Sequence, residues 1–160
     1  MSPATAPATD TASDTATDRA GLRPFERSLP MALMRARESV MSRFRPILAA
    51  HGLTEQQWRV LRLLDSRAEP CSVGEIAEQT YILGPSLSRM LASLAERDLI
   101  ERATSEGDGR RSDVSISTTG RRLVAEIAPE SEAAYDAIEE RFAEGELDLL
   151  HELLTRCTEP

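Results

Sequence analysis

The feature that most constrains this chain is a change of hydrophobic period in its middle third. From Thr54 to Leu94 the apolar residues recur at helical spacing in three short segments, and from Leu99 to Ser117 they alternate in two shorter runs. Thr54 with Gln57, and Ser72 with Glu75, are capping boxes: the hydroxyl accepts from an amide three residues on, whose own side chain reaches back to the cap. Trp58, Leu61 and Leu64 supply the buried face of the first helix, and Val73, Ile76 and Ala77 that of the second, which stops near Tyr81-Ile82-Leu83-Gly84. Pro85 suits the first turn of a third helix, where its missing N–H has no helical partner to lose. Leu87, Met90, Leu91 and Leu94 then give an i, i+3, i+4, i+7 stripe. After Asp98, Leu99-Ile100-Glu101-Arg102-Ala103 and Val114-Ser115-Ile116-Ser117 read as two strands around a polar, glycine-containing stretch from Thr104 to Asp113.

Helical patterns flank this block on both sides. From Pro30 the stripe Leu33, Ala36, Val40, Phe44 and Ile47, widened by Met34, Met41 and Leu48, predicts a long helix ended by His51-Gly52. Thr118 or Thr119 is expected to cap another, running through Leu123, Val124, Ile127, Tyr135, Ile138 and Phe142, with Pro129 kinking or re-capping it. A last helix from Glu146 carries Leu147, Leu149, Leu150, Leu153 and Leu154. Met1 to Ala20 are almost entirely Ala, Thr, Ser, Pro and Asp, too poor in large apolar groups to offset the entropy of ordering, so residues 1–22 read as a disordered tail. The remaining 23–160 are enough for one core. The expected class is mainly α (α+β): a winged helix-turn-helix over 54–117, between helices over 29–50 and 118–160 that form a dimerisation scaffold. In such a layout the second helix of the motif enters the major groove of DNA and the hairpin reaches the backbone or minor groove.

Charge argues for and against this reading. The net charge is −8, whereas phosphate contacts need local positive charge. Distribution matters more: all 19 basic residues are arginine, and from Arg19 to Arg62 nine of them face only Glu26, Glu38 and Glu55, with Asp65 just beyond. From Leu123 to Pro160 only Arg141 and Arg156 oppose a run of Asp and Glu. A basic early helix and an acidic late one are either partners, within a chain or across a dimer, or two solvated faces. No run approaches the roughly 20 apolar residues of a membrane span, and the N-terminus lacks a secretory layout, so a cytoplasmic location is expected. Cys71 and Cys157 lie far apart without metal-ligand spacing, and His51 and His151 have no nucleophile or ligand motif around them. No enzyme, metal or cofactor chemistry is expected.

On the third helix the apolar stripe leaves Ser86, Ser88, Arg89 and Ser93, after Pro85, on the other face. Small hydroxyls permit close approach to DNA, and arginine binds guanine or phosphate bidentately; the alternative is a solvated face with Arg89 paired to an acid. In the hairpin tip Asp108, Arg110 and Arg111 cluster beside Gly107 and Gly109, either as a DNA contact or as a surface ion pair. Gly52-Leu53-Thr54, Gln57-Trp58, Val60-Leu61, Pro85-Ser86-Leu87-Ser88-Arg89 and Asp108-Gly109-Arg110-Arg111 resemble the signatures of the MarR family of transcriptional regulators, from about Leu29 to the end. Leu29-Pro30-Met31, the run from His51 to Leu61 and Leu83-Gly84-Pro85-Ser86-Leu87 are similar to the regulators of homoprotocatechuate (aromatic acid) degradation operons. The resemblance implies a homodimeric repressor on an inverted-repeat operator in double-stranded DNA. It also implies that Arg110 enters the minor groove with Asp108 holding it, and that a small aromatic carboxylate relieves repression of a catabolic operon. The peroxide-sensing branch carries a cysteine early in the first long helix, and this chain has none there.

The effector residues are less determined. Arg37 falls inside the stripe of Met34, Met41, Phe44 and Leu48, whereas Arg35, Arg43 and Arg45 fall outside it. An arginine on an apolar face needs an acid, either a ligand carboxylate or a glutamate of the late acidic helix. Met34, Met41 and Trp58 either line an aromatic pocket with Arg37 or belong to the core. Two competing functions stay open: a winged-helix protein-interaction module without DNA binding, and a regulator of this type answering a different ligand.

Overall fold

The computed structural model describes residues 24–104 and 112–158; the expectation for the tail 1–22 lies outside them. The chain divides into two units, residues 1–39 and 40–160. In the first, a 3-10 turn over Phe25–Arg27 leads into helix α1 (Leu29–Ala50). The Arg35 guanidinium donates to the Glu26 carbonyl at 3.2 Å and ties the turn to the helix. Phe25, Leu29, Leu33 and Met34 are all exposed in this unit.

The second unit holds the rest of α1, then α2 (Glu55–Asp65), β1 (Cys71–Ser72), α3 (Val73–Thr80), α4 (Gly84–Glu96), β2 (Ile100–Thr104), β3 (Ser112–Ile116), α5 (Thr118–Glu139) and α6 (Glu146–Arg156). The three strands form an antiparallel sheet in the order β1-β3-β2, with Val114 between Cys71 and Arg102. Leu48, Val60, Leu61, Ile76, Leu87, Leu91, Leu94, Val114 and Ile127 lose almost all exposure in one core. Each large aliphatic side chain removed from water in this way contributes about 1.5–3 kcal/mol before the cost of ordering it. The predicted stripes of α2, α3 and α4 thus face one another.

Local chemistry sets the ends of these elements. Both capping boxes form: Thr54 Oγ1 accepts from the Gln57 amide at 3.2 Å and Gln57 Oε1 from the Thr54 amide at 2.9 Å, and Ser72 and Glu75 repeat the exchange. Gly52, at φ 64°, turns the chain after α1, and its carbonyl accepts from Arg97 at 3.0 Å. α3 ends at Tyr81, in the left-handed region at φ 54°. Its last carbonyl, that of Thr80, accepts from the Arg59 guanidinium at 2.7 Å, so α2 supplies the partner that the helix end lacks.

The helix after the hairpin is capped one residue earlier than expected. Ser117, not Thr118 or Thr119, is the cap: it has extended backbone, and its hydroxyl accepts from the Gly120 amide at 2.9 Å while donating to the Asp98 carbonyl at 2.6 Å. Thr119 is drawn into the first turn, where its hydroxyl donates to the Asp98 carboxylate at 2.9 Å. Asp98 itself ends α4 in the left-handed region at φ 56°. Pro129 lies inside α5 and does not re-cap it; one backbone bond is forgone and the flanking turns continue. The helix stops at Glu139, before Phe142. β1 was not expected, because two residues carry no period, and β2 and β3 lie within two residues of the predicted strands. Tyr135 on α5 reaches Phe44, ring centroids 4.8 Å apart, and α6 leaves Leu149, Leu150, Leu153 and Leu154 exposed.

Candidate nucleic-acid interface

α3, its turn and α4 form the helix-turn-helix, and α4 has two chemically different faces. Leu87, Leu91 and Leu94 are fully buried. Pro85, Ser88 and Arg89 are exposed, and Ser86 and Ser93 are half-buried at the edges of the stripe. The predicted residues therefore share the open side, with Ser88 and Arg89 at its centre. Among the described residues no acid pairs with Arg89. Its guanidinium keeps its full set of donors for a phosphate or a guanine edge.

The electrostatics of α4 differ from those of the whole chain. Arg89 and Glu96 are its only charged residues, and Glu96 lies in the last position. At about 1.5 Å per residue the two are roughly 10 Å apart along the axis, so the acid does not cover the N-terminal half. That half starts without a side-chain cap, leaving amides and the positive end of the helix dipole unsatisfied at the same surface. The excess of acid lies elsewhere.

β2 and β3 form the stem of the wing, paired from Ile100 with Ile116 to Thr104 with Ser112. Glu101, Arg102 and Ala103 are exposed on it. The predicted tip residues Asp108, Arg110 and Arg111 lie outside the described residues. The stem that would carry them is pinned at its base by the Ser117, Asp98 and Thr119 bonds.

The expected effector residues fall in both units. In the first, Met34 is exposed at 64%, and the half-exposed Arg37 guanidinium lies 3.8 Å from the Glu38 carboxylate. In the second, Met41 is half-buried against the core and Trp58 is part of it, with the Arg62 guanidinium 5.8 Å from its ring centroid. The thiol of Cys71 is buried, and burial, opposed by Arg67 and assisted by Glu75, pushes its pKa up. It is a poor nucleophile at neutral pH. Cys157 is exposed beyond α6. Among the described residues no cluster of His, Cys, Asp or Glu could hold a metal ion, and no helix is long and apolar enough to cross a membrane.

Arg59 was not anticipated as a functional residue, because its partner Thr80 is 21 positions away and nothing local marks the pairing. Tyr81 and Leu83, which in the sequence mark only the end of a helix, are exposed at 86% and 79% just before the open face of α4.

Residues 51–111, which run from the end of α1 through the helix-turn-helix and past the first wing strand, match the sequence profile of the MarR family. The homoprotocatechuate degradative operon repressor of Escherichia coli is 36% identical over 79% of this chain and 85% of its own length. The crystal structure of NadR in complex with 4-hydroxyphenylacetate superposes with a TM-score of 0.75 at 35% identity, over 85% of this chain and 96% of that one. The repressor CouR bound to a 23-mer DNA duplex gives a TM-score of 0.76 at 29% identity, over 84% and 94%. With its helix-turn-helix, its paired wing stem and this degree of likeness along most of its length, the chain belongs to the MarR family of transcriptional regulators.

Proposed function

We propose that the protein is a cytoplasmic homodimeric repressor that places α4 in the major groove of an inverted-repeat operator and is released by a small aromatic carboxylate, so controlling an aromatic-acid catabolic operon. The observation that carries the DNA half is the division of α4: Leu87, Leu91 and Leu94 lock it into the core while Ser88 and Arg89 stay open and unopposed by acid. Pro85, Ser86 and Ser93 border the contact, and Asp108, Arg110 and Arg111 extend it through the wing. The relatives support the reading: one is named for repression of an aromatic-acid operon, one was crystallised with 4-hydroxyphenylacetate, and one with duplex DNA. Fluorescence anisotropy at fixed salt, with duplexes from the gene's own upstream region, tests it. Binding of a duplex containing an inverted repeat, with half-sites about one helical turn apart, is the expected result. Failure to bind any such duplex would refute it.

The exposed leucines of α6 support the dimer. Leu149, Leu150, Leu153 and Leu154 form a contiguous apolar stripe at helical spacing, and a second copy covers such a stripe by an isologous contact. Sedimentation equilibrium of the 17.6 kDa chain at micromolar concentration should give twice the monomer mass, and Leu150→Glu with Leu153→Glu should return it to a monomer. A wild-type monomer would end this reading.

Arg37 is proposed as the partner of the effector carboxylate, and Met34, Met41 and Trp58 are proposed as further ligand-binding residues. Calorimetry with 4-hydroxyphenylacetate as the probe is expected to show at least about tenfold weaker binding for Arg37→Ala, the loss of one charge-assisted hydrogen-bonded pair. The variant should still repress, since a ligand acts only through its different affinity for two states. Equal affinities would leave Arg37 as an ion-pair residue of α1.

A further inference from the structure

The turn between α3 and α4 presents a pattern that the fold alone does not require. Tyr81, Ile82 and Leu83 alternate: Ile82 is 4% exposed in the core, while Tyr81 and Leu83 stand out at 86% and 79%. Two large apolar side chains in water gain nothing for the folded monomer. Tyr81 is also in the left-handed region, where a side chain is strained and glycine is relaxed. Asp98, the other such residue among those described, has a visible return in its bond from Thr119. Tyr81 has no comparable burial to justify its strain. Strained, exposed residues held by a rigid surround suggest a use for what they present.

The surround is rigid. Arg59 holds the Thr80 carbonyl just before the turn, Ile82 anchors its middle, and Pro85 fixes the backbone just after it. Leu83 is the N-cap residue of α4, so the two side chains continue the exposed surface of Pro85, Ser88 and Arg89. From Gln79 to Ala95 the sequence contains no acid at all, in a chain with 27 of them, and its single charge is Arg89. A stretch that is apolar, hydroxyl-bearing and cationic, with no carboxylate between Glu78 and Glu96, fits a polyanion with methyl groups on its floor. In the major groove those methyls are the C5-methyls of thymine.

We infer that Tyr81 and Leu83 are operator-reading residues: Leu83 packs on a thymine methyl in each half-site, and Tyr81 packs on the adjoining sugar-phosphate backbone. The inference rests on the DNA-binding reading above. It adds a base-type preference that Arg89 cannot supply, because a guanidinium reads guanine or phosphate and an isobutyl group reads a methyl.

Replacing thymine by uracil removes only the methyl and isolates the contact. The probe is the upstream duplex bound by the wild-type protein, with each thymine position changed to uracil in both half-sites at once. Burial of one methyl per half-site predicts that one such position weakens wild-type binding by about tenfold. Leu83→Ala should weaken binding of the unmodified duplex to a similar degree and be indifferent to uracil at that position. Tyr81→Gly should melt at the same temperature as wild type or higher, because it relieves the left-handed strain, yet bind at least about fivefold more weakly. Uracil and Leu83→Ala effects that multiply at every position would overturn the methyl contact, and wild-type affinity in Tyr81→Gly would overturn the backbone contact. If both variants instead bind the duplex normally but lose a protein partner recovered by wild type, the turn is a protein-docking surface and the inference is wrong. Absence of wild-type binding to any upstream duplex would defeat the parent reading itself, a result distinguishable from all of these.

Discussion

Gly120→Ala should destabilise the protein by about 3 kcal/mol or more, enough to leave much of a domain of ordinary stability unfolded. A Cβ at this position would overlap the carbonyl oxygen of Leu99 and lie 2.8 Å from Ile116 Cγ1. The first of these is backbone and cannot rotate away. The Leu99 carbonyl also accepts from the Ser117 amide at 3.2 Å, so displacing it would disturb the bond that joins the start of β2 to the start of α5. The added methyl is thus overpacking against fixed structure, the kind that shifts backbone rather than rotamers. Gly74→Ala is the control, because a Cβ there, inside α3, makes only an ordinary contact with Ser72 Oγ at 3.9 Å; it should be neutral or slightly stabilising by restricting the unfolded chain. Urea unfolding followed by far-ultraviolet circular dichroism measures both. A Gly120→Ala variant within about 0.5 kcal/mol of wild type, the usual spread of innocuous surface changes, would show that the β2–α5 joint is looser than described.

Arg89→Ala should weaken operator binding by about 30-fold or more in the dimer, because one bidentate contact is worth about 1–3 kcal/mol and two half-sites lose it together. Its mark is in specificity: the loss should be large on the operator and small on unrelated duplex. Arg110→Ala, in the wing, should lower affinity on all duplexes alike. It should also flatten the slope of log affinity against log salt, because a cation withdrawn from the minor groove no longer displaces counterions. Titrations of both variants at three or more salt concentrations separate the roles. Unaltered operator affinity in Arg89→Ala would move the base contact off the centre of α4, and an unchanged affinity and salt slope in Arg110→Ala would remove the wing arginine from the DNA contacts.

The features legible in the sequence were those fixed by neighbours a few residues away. Thr54 with Gln57 and Ser72 with Glu75 form the boxes that their spacing announces, and Leu87, Leu91 and Leu94 occupy the core as their period requires. Pairings across longer intervals left no local trace. Ser117 takes the cap from its threonine neighbours because Asp98, 19 positions earlier, competes for hydroxyls at the same joint. Arg59 serves a helix end that its own helix does not contain. At the proposed DNA interface, Ser88 and Arg89 could be placed by subtracting the apolar stripe. Tyr81 and Leu83 could not, since residues of that kind normally signal burial. The effector residues were the least legible, because Arg37 on its apolar stripe is equally consistent with an acid from the protein or from a ligand, and the nearby Glu38 carboxylate shows how readily a neighbour can engage it.

The knot of Asp98, Ser117, Thr119 and Gly120 has a mechanical consequence. It fastens the foot of α4, the root of both wing strands and the head of α5 into a single bracket, with hydrogen bonds in place of a flexible linker. A bracket of this kind transmits rotation without absorbing it. The helix and the wing therefore swing as one blade, and the shaft that turns the blade is α5. Any agent that tilts α5 by a few degrees would sweep the far end of α4 through an arc set by the blade's length, so in the proposed complex the fit of α4 to DNA would follow the angle of a helix outside the proposed contact.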